Sequence, residues 1–266
     1  MQPLGQMFED CILCERSDKL FMKLAIMQPY FFPYLGYYSL IKNSDRFILL
    51  DDVQFIRHGW IERNRILKPD EGWQYVAAPL QPHTRSTLIK EITIRDGEDW
   101  RGKLLRQLAH YKKKSPFYAE TISIVSRALD TSATSIVKLN ANILTETCRY
   151  LGLPLKLDIF SEMQLAIDAV TEAGAWALEI SKAIGAAEYV NPIGGVELFN
   201  PEQFAKNGIS LKFLKNNLSP YRQRRPTFEP GLSIIDAMMF NAPADLNKLI
   251  DDTEFVNCHD NETSNG

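Results

Sequence analysis

A chain of 266 residues with 45% hydrophobic, 24% charged and 11% aromatic residues has the make-up of a folded globular protein, which excludes disorder and fibrous repeats. Thirty Lys and Arg against 33 Asp and Glu give a formal net charge of −3, so no bulk positive field is present to hold DNA. The longest apolar runs, such as Leu24–Met27 and Phe47–Leu50, fall far short of the ~20 residues of a membrane-spanning helix, and no membrane span is expected.

Residues 1–21 show no clear period and read as a flexible leader. Acidic residues precede any apolar stretch there, the wrong order for a secretory signal, so a cytoplasmic location is expected. Cys11 and Cys14 form half a zinc site, and His58, His83, His110 and His259 offer no matching close pair, so no metal is expected. The two thiols read as ordinary side chains of a mobile arm.

From residue 22 to 250 the chain reads as one domain in which short apolar runs alternate with helical periods. Leu24–Gln28 is a buried strand stopped by Pro29. Leu35–Lys42 follows as a helix, and Arg46–Leu50 as a second strand broken by Asp51-Asp52. Gly72–Leu80 and Ile89–Ile94 read as further strands, then residues 98–113, 117–129 and 134–151 as helices, the last closed by Gly152. Strands return at Lys156–Phe160, Glu188–Val190 and Ile209–Phe213, with helices near 172–185 and 201–207. A helical stretch at 232–250 precedes residues 251–266, whose acidic composition without Lys or Arg predicts a disordered tail. The alternation predicts an α/β fold, a mostly parallel sheet with helices on both faces and helical additions.

In such sheets ligands bind beyond the carboxyl ends of the strands. The residues there are Gln28-Pro29-Tyr30, Asp51-Asp52-Val53-Gln54, Ser161-Glu162 and Asn191 to Gly195. Gly194 and Gly195 would let a ligand approach the backbone N–H groups closely. The densest stretch, Asp51 to Ile66, adds Arg57, His58, Trp60, Arg63, Asn64 and Arg65 to its two carboxylates and suits a charged, ring-bearing ligand. Its bland alternative is a turn capped by Asp51 or Asp52 with arginines in surface ion pairs.

Tyr30 to Tyr38 joins the first strand to the first helix. Its Tyr34-Leu35-Gly36-Tyr37 is similar to the His-x-Gly-His turn of adenylate-transferring α/β proteins, which makes the expected sheet Rossmann-like, in the nucleotidylyltransferase manner. Tyrosine lacks the positive charge of an imidazolium, so the shape carries over better than the chemistry. Tyr30 and Tyr34 are the candidates for facing a sugar or base. Gly97 to Lys103 has the skeleton of a P-loop, but Leu104 stands where a Ser or Thr would hold magnesium. Toward the carboxyl end, Arg222, Arg224 and Arg225 suit phosphate or a solvated cluster equally. Ser233 reads as a helix cap, and Asp236 as a carboxylate serving the same helix start.

Five blocks carry a family resemblance: Ile26 to Tyr37, Asp51 to Phe55, Trp60 with Arg63 to Ile66, Tyr221 with Gln223, and Leu232 to Asp236. In their order and spacing the sequence resembles the WbqC-like protein family, bacterial proteins whose genes tend to occur with those for surface-polysaccharide and O-antigen (lipopolysaccharide) assembly. The resemblance implies a transferase that forms an amide, acyl or aminoacyl, such as glycyl, on a nucleotide-linked amino sugar. Asp51, Asp52 or His58 would accept the amine proton. Substrate contacts would come from Gln28, Tyr30, Tyr34, Gln54, Trp60 and Arg63, with Asn64, Arg65, Asn191, Gly194, Gly195, Tyr221 and Gln223. The partners implied are the nucleotide-linked sugar and an activated amino acid or acyl donor, without a cofactor. A non-catalytic sugar-nucleotide-binding or scaffold protein of the same pathway is the alternative, and glycosyl transfer a weaker one for want of an Asp-x-Asp pair. Donor identity and oligomeric state stay open.

Overall fold

The computed structural model describes residues 21–170 and 172–256. Cys11, Cys14 and the tail beyond 256 lie outside the described residues. The main sheet comprises β1 (Lys23–Met27), β2 (Arg46–Leu49), β5 (Leu157–Ile159), β6 (Glu188–Pro192), β7 (Ser210–Asn216) and β8 (Thr253–Val256). Their order is β5-β2-β1-β6-β7-β8. All neighbours run parallel except β8, which lies antiparallel on β7.

Both faces of this sheet are covered, as the period of two along each strand requires. Ala25, Phe47, Leu49, Val190 and Leu214 face one apolar layer, with α1 (Leu35–Lys42), α3 (Tyr118–Leu129), α4 (Ile136–Leu151), α7 (Ile234–Phe240) and α8 (Pro243–Asp251). Leu24, Ile26, Ile48 and Tyr189 face the other, with α5 (Ala175–Ile184) and α6 (Pro201–Lys206). The chain steps outward from β1 to β2 and β5, then returns to the far side of β1 with β6 and β7. This is the Rossmann-like order, and its direction reverses between β1 and β6.

Between β2 and β5 the chain makes a long excursion that holds β3 (Arg63–Leu67), β4 (Trp73–Ala77), α2 (Trp100–Gln107), α3 and α4. β3 and β4 form a separate antiparallel hairpin. The strand expected over Gly72–Leu80 therefore exists as β4 but leaves the main sheet. Ile89–Ile94 is not a strand: Ile89–Glu91 is a 3-10 turn, and Ile94 makes only an isolated bridge with Leu80. Its buried isoleucines at 89, 92 and 94 follow a turn and then an extended step. β3 escapes sequence reading because the buried residue opposite its arginines is Asn64, which hides the apolar alternation.

Two further boundaries differ from expectation. The helix over 232–250 is two helices, since Pro243 lacks the N–H needed to continue α7 and instead starts α8. The tail expected from Asp251 onward begins as β8, whose backbone pairs with β7 and whose Glu254 meets Lys215 at 2.6 Å. The P-loop skeleton is a helix start: Asp99 accepts from the Gly102 N–H at 2.8 Å and puts a carboxylate where a phosphate would sit. No helix among the described residues is long and apolar enough to cross a membrane.

Candidate functional site

A cavity of about 470 Å³ lies at the reversal point, where the carboxyl ends of β1 and β6 diverge. Met27, Tyr30 and Tyr34 line it from β1 and the loop that follows. Trp60 comes from the approach to β3 and Asn64 and Arg65 from β3 itself, Asn191, Pro192, Gly194, Gly195 and Leu198 from β6 and the turn beyond, and Leu218 and Gly231 close it.

The loop from β1 to α1 is held from several sides. Asn64 Nδ2 donates to the carbonyls of Phe31 and Phe32 at 3.1 and 3.0 Å. Asn140 Nδ2, fully buried in α4, donates to those of Pro29 and Ile61 at 2.7 and 2.9 Å. Ser233 Oγ donates to the Phe32 carbonyl at 2.8 Å, and the Tyr37 hydroxyl donates to that of Gln28 at 2.9 Å. Gly36 has a specific purpose: a Cβ there would lie 2.5 Å from the Tyr34 ring, so its absence lets that ring rest over the first turn of α1. Burial raises the pKa of both Tyr30 and Tyr34, in Tyr30 helped by the Tyr34 phenol, so both present neutral hydroxyls near pH 7.

On the opposite wall Arg65 is flanked by two indoles, its guanidinium carbon 5.3 Å from the Trp60 ring centre and 5.1 Å from that of Trp73. Nη2 donates to the Gly231 carbonyl at 3.2 Å. Nε is shielded from solvent and has no acceptor among the described residues. Nor does Arg65 take part in any ion pair among them. Asn191 is fixed by the Tyr189 hydroxyl, which donates to its Oδ1 at 2.9 Å, and by its own Nδ2 donating to the Pro192 carbonyl at 2.9 Å. A Cβ on Gly195 would fall 2.3 Å from that Nδ2, so this glycine makes room for the amide.

The structure thus brings Tyr30, Tyr34, Trp60, Asn64, Arg65, Asn191, Gly194 and Gly195 to one cavity. Other residues expected there are placed elsewhere. Gln28 is not among the lining residues, and its carbonyl accepts from the Tyr37 hydroxyl. Asp51 is 1% exposed, and its carboxylate accepts from the Ser161 N–H at 3.0 Å and hydroxyl at 2.6 Å, tying the end of β2 to the turn after β5. Asp52 pairs with Lys90 at 2.6 Å. Gln54 donates to the Arg85 carbonyl. His58 is exposed in a left-handed turn at φ +64°, and its carbonyl accepts from Arg63, whose guanidinium covers the Tyr75 ring at 4.0 Å. Asp51, Asp52 and His58 therefore do not line the cavity, because each serves or sits in a neighbouring turn.

Tyr221 and Gln223 serve Asp236 instead. This carboxylate is fully buried and accepts from the hydroxyls of Tyr111 and Tyr221, at 2.6 and 2.5 Å, and from Gln223 Nε2 at 3.0 Å. Burial raises its pKa to about 6 against the opposing effect of these donors and of Arg225. The cap of α7 is Ser233, which accepts from the Ile235 N–H at 3.2 Å, so the capping role expected for Asp236 is replaced by a junction of three segments. Residues missed by sequence reasoning are Met27, Leu198, Leu218 and Gly231. Met27 could have been found as a strand-terminal residue; the others carry no chemical signal.

The order of the sheet and the cavity at its reversal point define a Rossmann-like α/β protein with a small-molecule-sized crevice. Residues 28–248 match the model of the WbqC-like protein family, and the chain belongs to that family. It is similar to the uncharacterized protein Rv1507c of Mycobacterium tuberculosis, with 30% identity over 225 residues that span 84% of this chain and 95% of the relative. No solved structure gives a match.

Proposed function

We propose that the cavity binds a nucleotide-linked amino sugar and that the protein passes an acyl or aminoacyl group, such as glycyl, to the sugar amine in surface-polysaccharide assembly. Arg65 carries the binding half of this reading. A guanidinium that lines the cavity, flanked by two indoles and without a carboxylate partner among the described residues, suits a diphosphate. Tyr30, Tyr34 and Trp60 supply aromatic surface and hydroxyls for a base or sugar, and the volume of about 470 Å³ falls in the range of small-molecule sites. The transfer half rests on the family resemblance. In it the amine nitrogen bonds to the acyl carbon, the bond from that carbon to the donor breaks, and the amine proton leaves to solvent. Holding amine and donor together supplies the acceleration.

One observation favours a second reading, a non-catalytic sugar-nucleotide-binding or scaffold protein: among the described residues that line the cavity there is neither a carboxylate nor an imidazole. Thermal melting with uridine- and thymidine-linked sugars tests the binding they share. A raised melting temperature is expected, because ligand bound only to the folded state stabilises it. Arg65→Ala should abolish the rise while the unliganded variant stays folded by circular dichroism. If no nucleotide-linked sugar shifts the melting of the natural chain at millimolar concentration, the binding reading fails. Mass-spectrometric detection of an acylated amino sugar then separates the transferase from the scaffold.

A further inference from the structure

A second concavity, of about 460 Å³, is formed by the segment from Tyr221 to Phe228. Three arginines line it, Arg222, Arg224 and Arg225, and none enters an ion pair among the described residues. The ordinary role of surface arginine, pairing with a carboxylate as Arg46 does with Asp158 at 2.6 Å, does not account for them.

The segment is built, not draped. Gln223 is 4% exposed; its Nε2 donates to the Glu229 carbonyl and to Asp236, and its Oε1 accepts from the Glu229 N–H. Arg225 is engaged by backbone: it donates to the carbonyls of Gly72, Lys68 and Asp70 at 2.9, 2.8 and 2.8 Å and so clamps the turn between β3 and β4. Arg222 and Arg224 are exposed and make no hydrogen bond among the described residues, while Arg224 takes a left-handed backbone at φ +53°. The neighbourhood is positive. Lys68 and Lys114 join Arg225 in the adjoining cleft, and the charges of Lys114 and Arg225 add to burial in lowering the pKa of His110 there, which keeps its imidazole neutral near pH 7. The nearby acids are Asp70 and Glu71 on the hairpin turn, Glu229 on the segment itself, and Asp236 beneath it, whose oxygens are already occupied.

We propose that Arg222 and Arg224 form a second anion site, which takes the diphosphate of a small ligand distinct from the one held at Arg65. The two sites adjoin. Leu218 and Gly231 line the first cavity and also a narrow cleft whose other walls include Tyr221 and Phe228, residues of the second. In the transferase reading, on which this assignment of role rests, the second ligand is the group donor. A diphosphate is common to nucleoside triphosphates and to coenzyme A, and both can be tested.

Titration calorimetry with inorganic pyrophosphate reads the sites separately. The natural chain should bind two equivalents. The double variant Arg222→Ala/Arg224→Ala should lose one, or bind it at least about tenfold more weakly, the loss of roughly one charge-assisted contact; its unliganded melting temperature should not move, since neither side chain is packed or bonded. Arg65→Ala should lose the other. ATP or coenzyme A that displaces pyrophosphate from Arg65→Ala, and not from the double variant, identifies the carrier. A double variant that binds pyrophosphate as the natural chain does overturns the proposal, as does Arg65→Ala removing all binding. Loss confined to the double variant, with Arg65→Ala unaffected, would sustain this site while removing the reading of the first cavity.

Discussion

Asp236→Asn tests the polar junction beneath α7 through its pH dependence. The carboxyl titrates near 3.8 in an unfolded chain and at about 6 in the folded one, with burial as the main cause. Between these values the folded state holds a proton that the unfolded state has released, so stability falls as pH rises, by about 1.4 kcal/mol per unit. Over the whole interval the loss comes to about 3 kcal/mol. It is absent below pH 3.8 and complete above about 6. Asparagine does not titrate, so the variant lacks this component. It also presents an amide NH₂ to donors that now meet carboxylate oxygens, Gln223 Nε2 and the Tyr221 hydroxyl, at a cost of roughly 1–3 kcal/mol. Relative to the natural chain the variant should therefore gain stability from pH 4 to pH 7, with the mispairing cost as a constant offset. Urea denaturation at stepped pH, followed by tryptophan fluorescence, gives the difference between the two stabilities, which should rise by about 3 kcal/mol across the interval. Parallel profiles would refute the reasoning, since they would mean that the Asp236 carboxylate is as easily ionised in the fold as outside it.

Gly36→Ala should weaken nucleotide-sugar binding with little change in melting, because the new Cβ meets the Tyr34 ring at 2.5 Å and the ring is the part able to move; isothermal titration with the ligand found in melting experiments would show it. Asp51→Asn should cost roughly 1–3 kcal/mol of stability in urea, from mispairing with the Ser161 N–H and hydroxyl, and leave ligand affinity unchanged. A variant of unchanged stability that no longer binds would return Asp51 to the site.

How the sequence announces the fold depends on which strand is considered. β1, β2 and β6 are buried on both faces by helical layers, so they appear as short apolar runs between helical periods and can be read directly. The order in which they pair cannot be read that way, because it depends on contacts between distant segments such as Ala25 with Phe47 and with Val190. β3 is hidden for a different reason. Its arginines stack on aromatic rings and its inward Asn64 binds two carbonyls, so a strand carries the composition of a loop. Tyr30, Tyr34, Asn191 and Gly194 were legible as site candidates because a parallel sheet exposes the ends of its strands. Leu198 and Leu218 were not, since an apolar wall has no chemistry to mark it.

The same exposed strand ends explain why Asp51 and Arg65, both in the richest stretch of the sequence, are placed differently. Loops that meet at the carboxyl edge of a sheet bring unpaired carbonyl and N–H groups with them, and burying those groups unsatisfied is costly. Polar side chains are therefore needed there whether or not a ligand binds, and composition alone cannot separate the brace from the ligand contact. Position does separate them: Asp51, both of whose oxygens are taken by Ser161, and Asn140, whose amide hydrogens meet two carbonyls while its Oδ1 has no partner among the described residues, do not line the cavity. Asn64 combines the roles, bracing the loop while it lines the cavity. Arg65 gives one nitrogen to Gly231 and keeps a solvent-shielded Nε without an acceptor among the described residues. Arg65 lines the cavity beside two indoles and a pair of phenols and has no carboxylate partner among the described residues, and the ligand recognition proposed above rests on that placement.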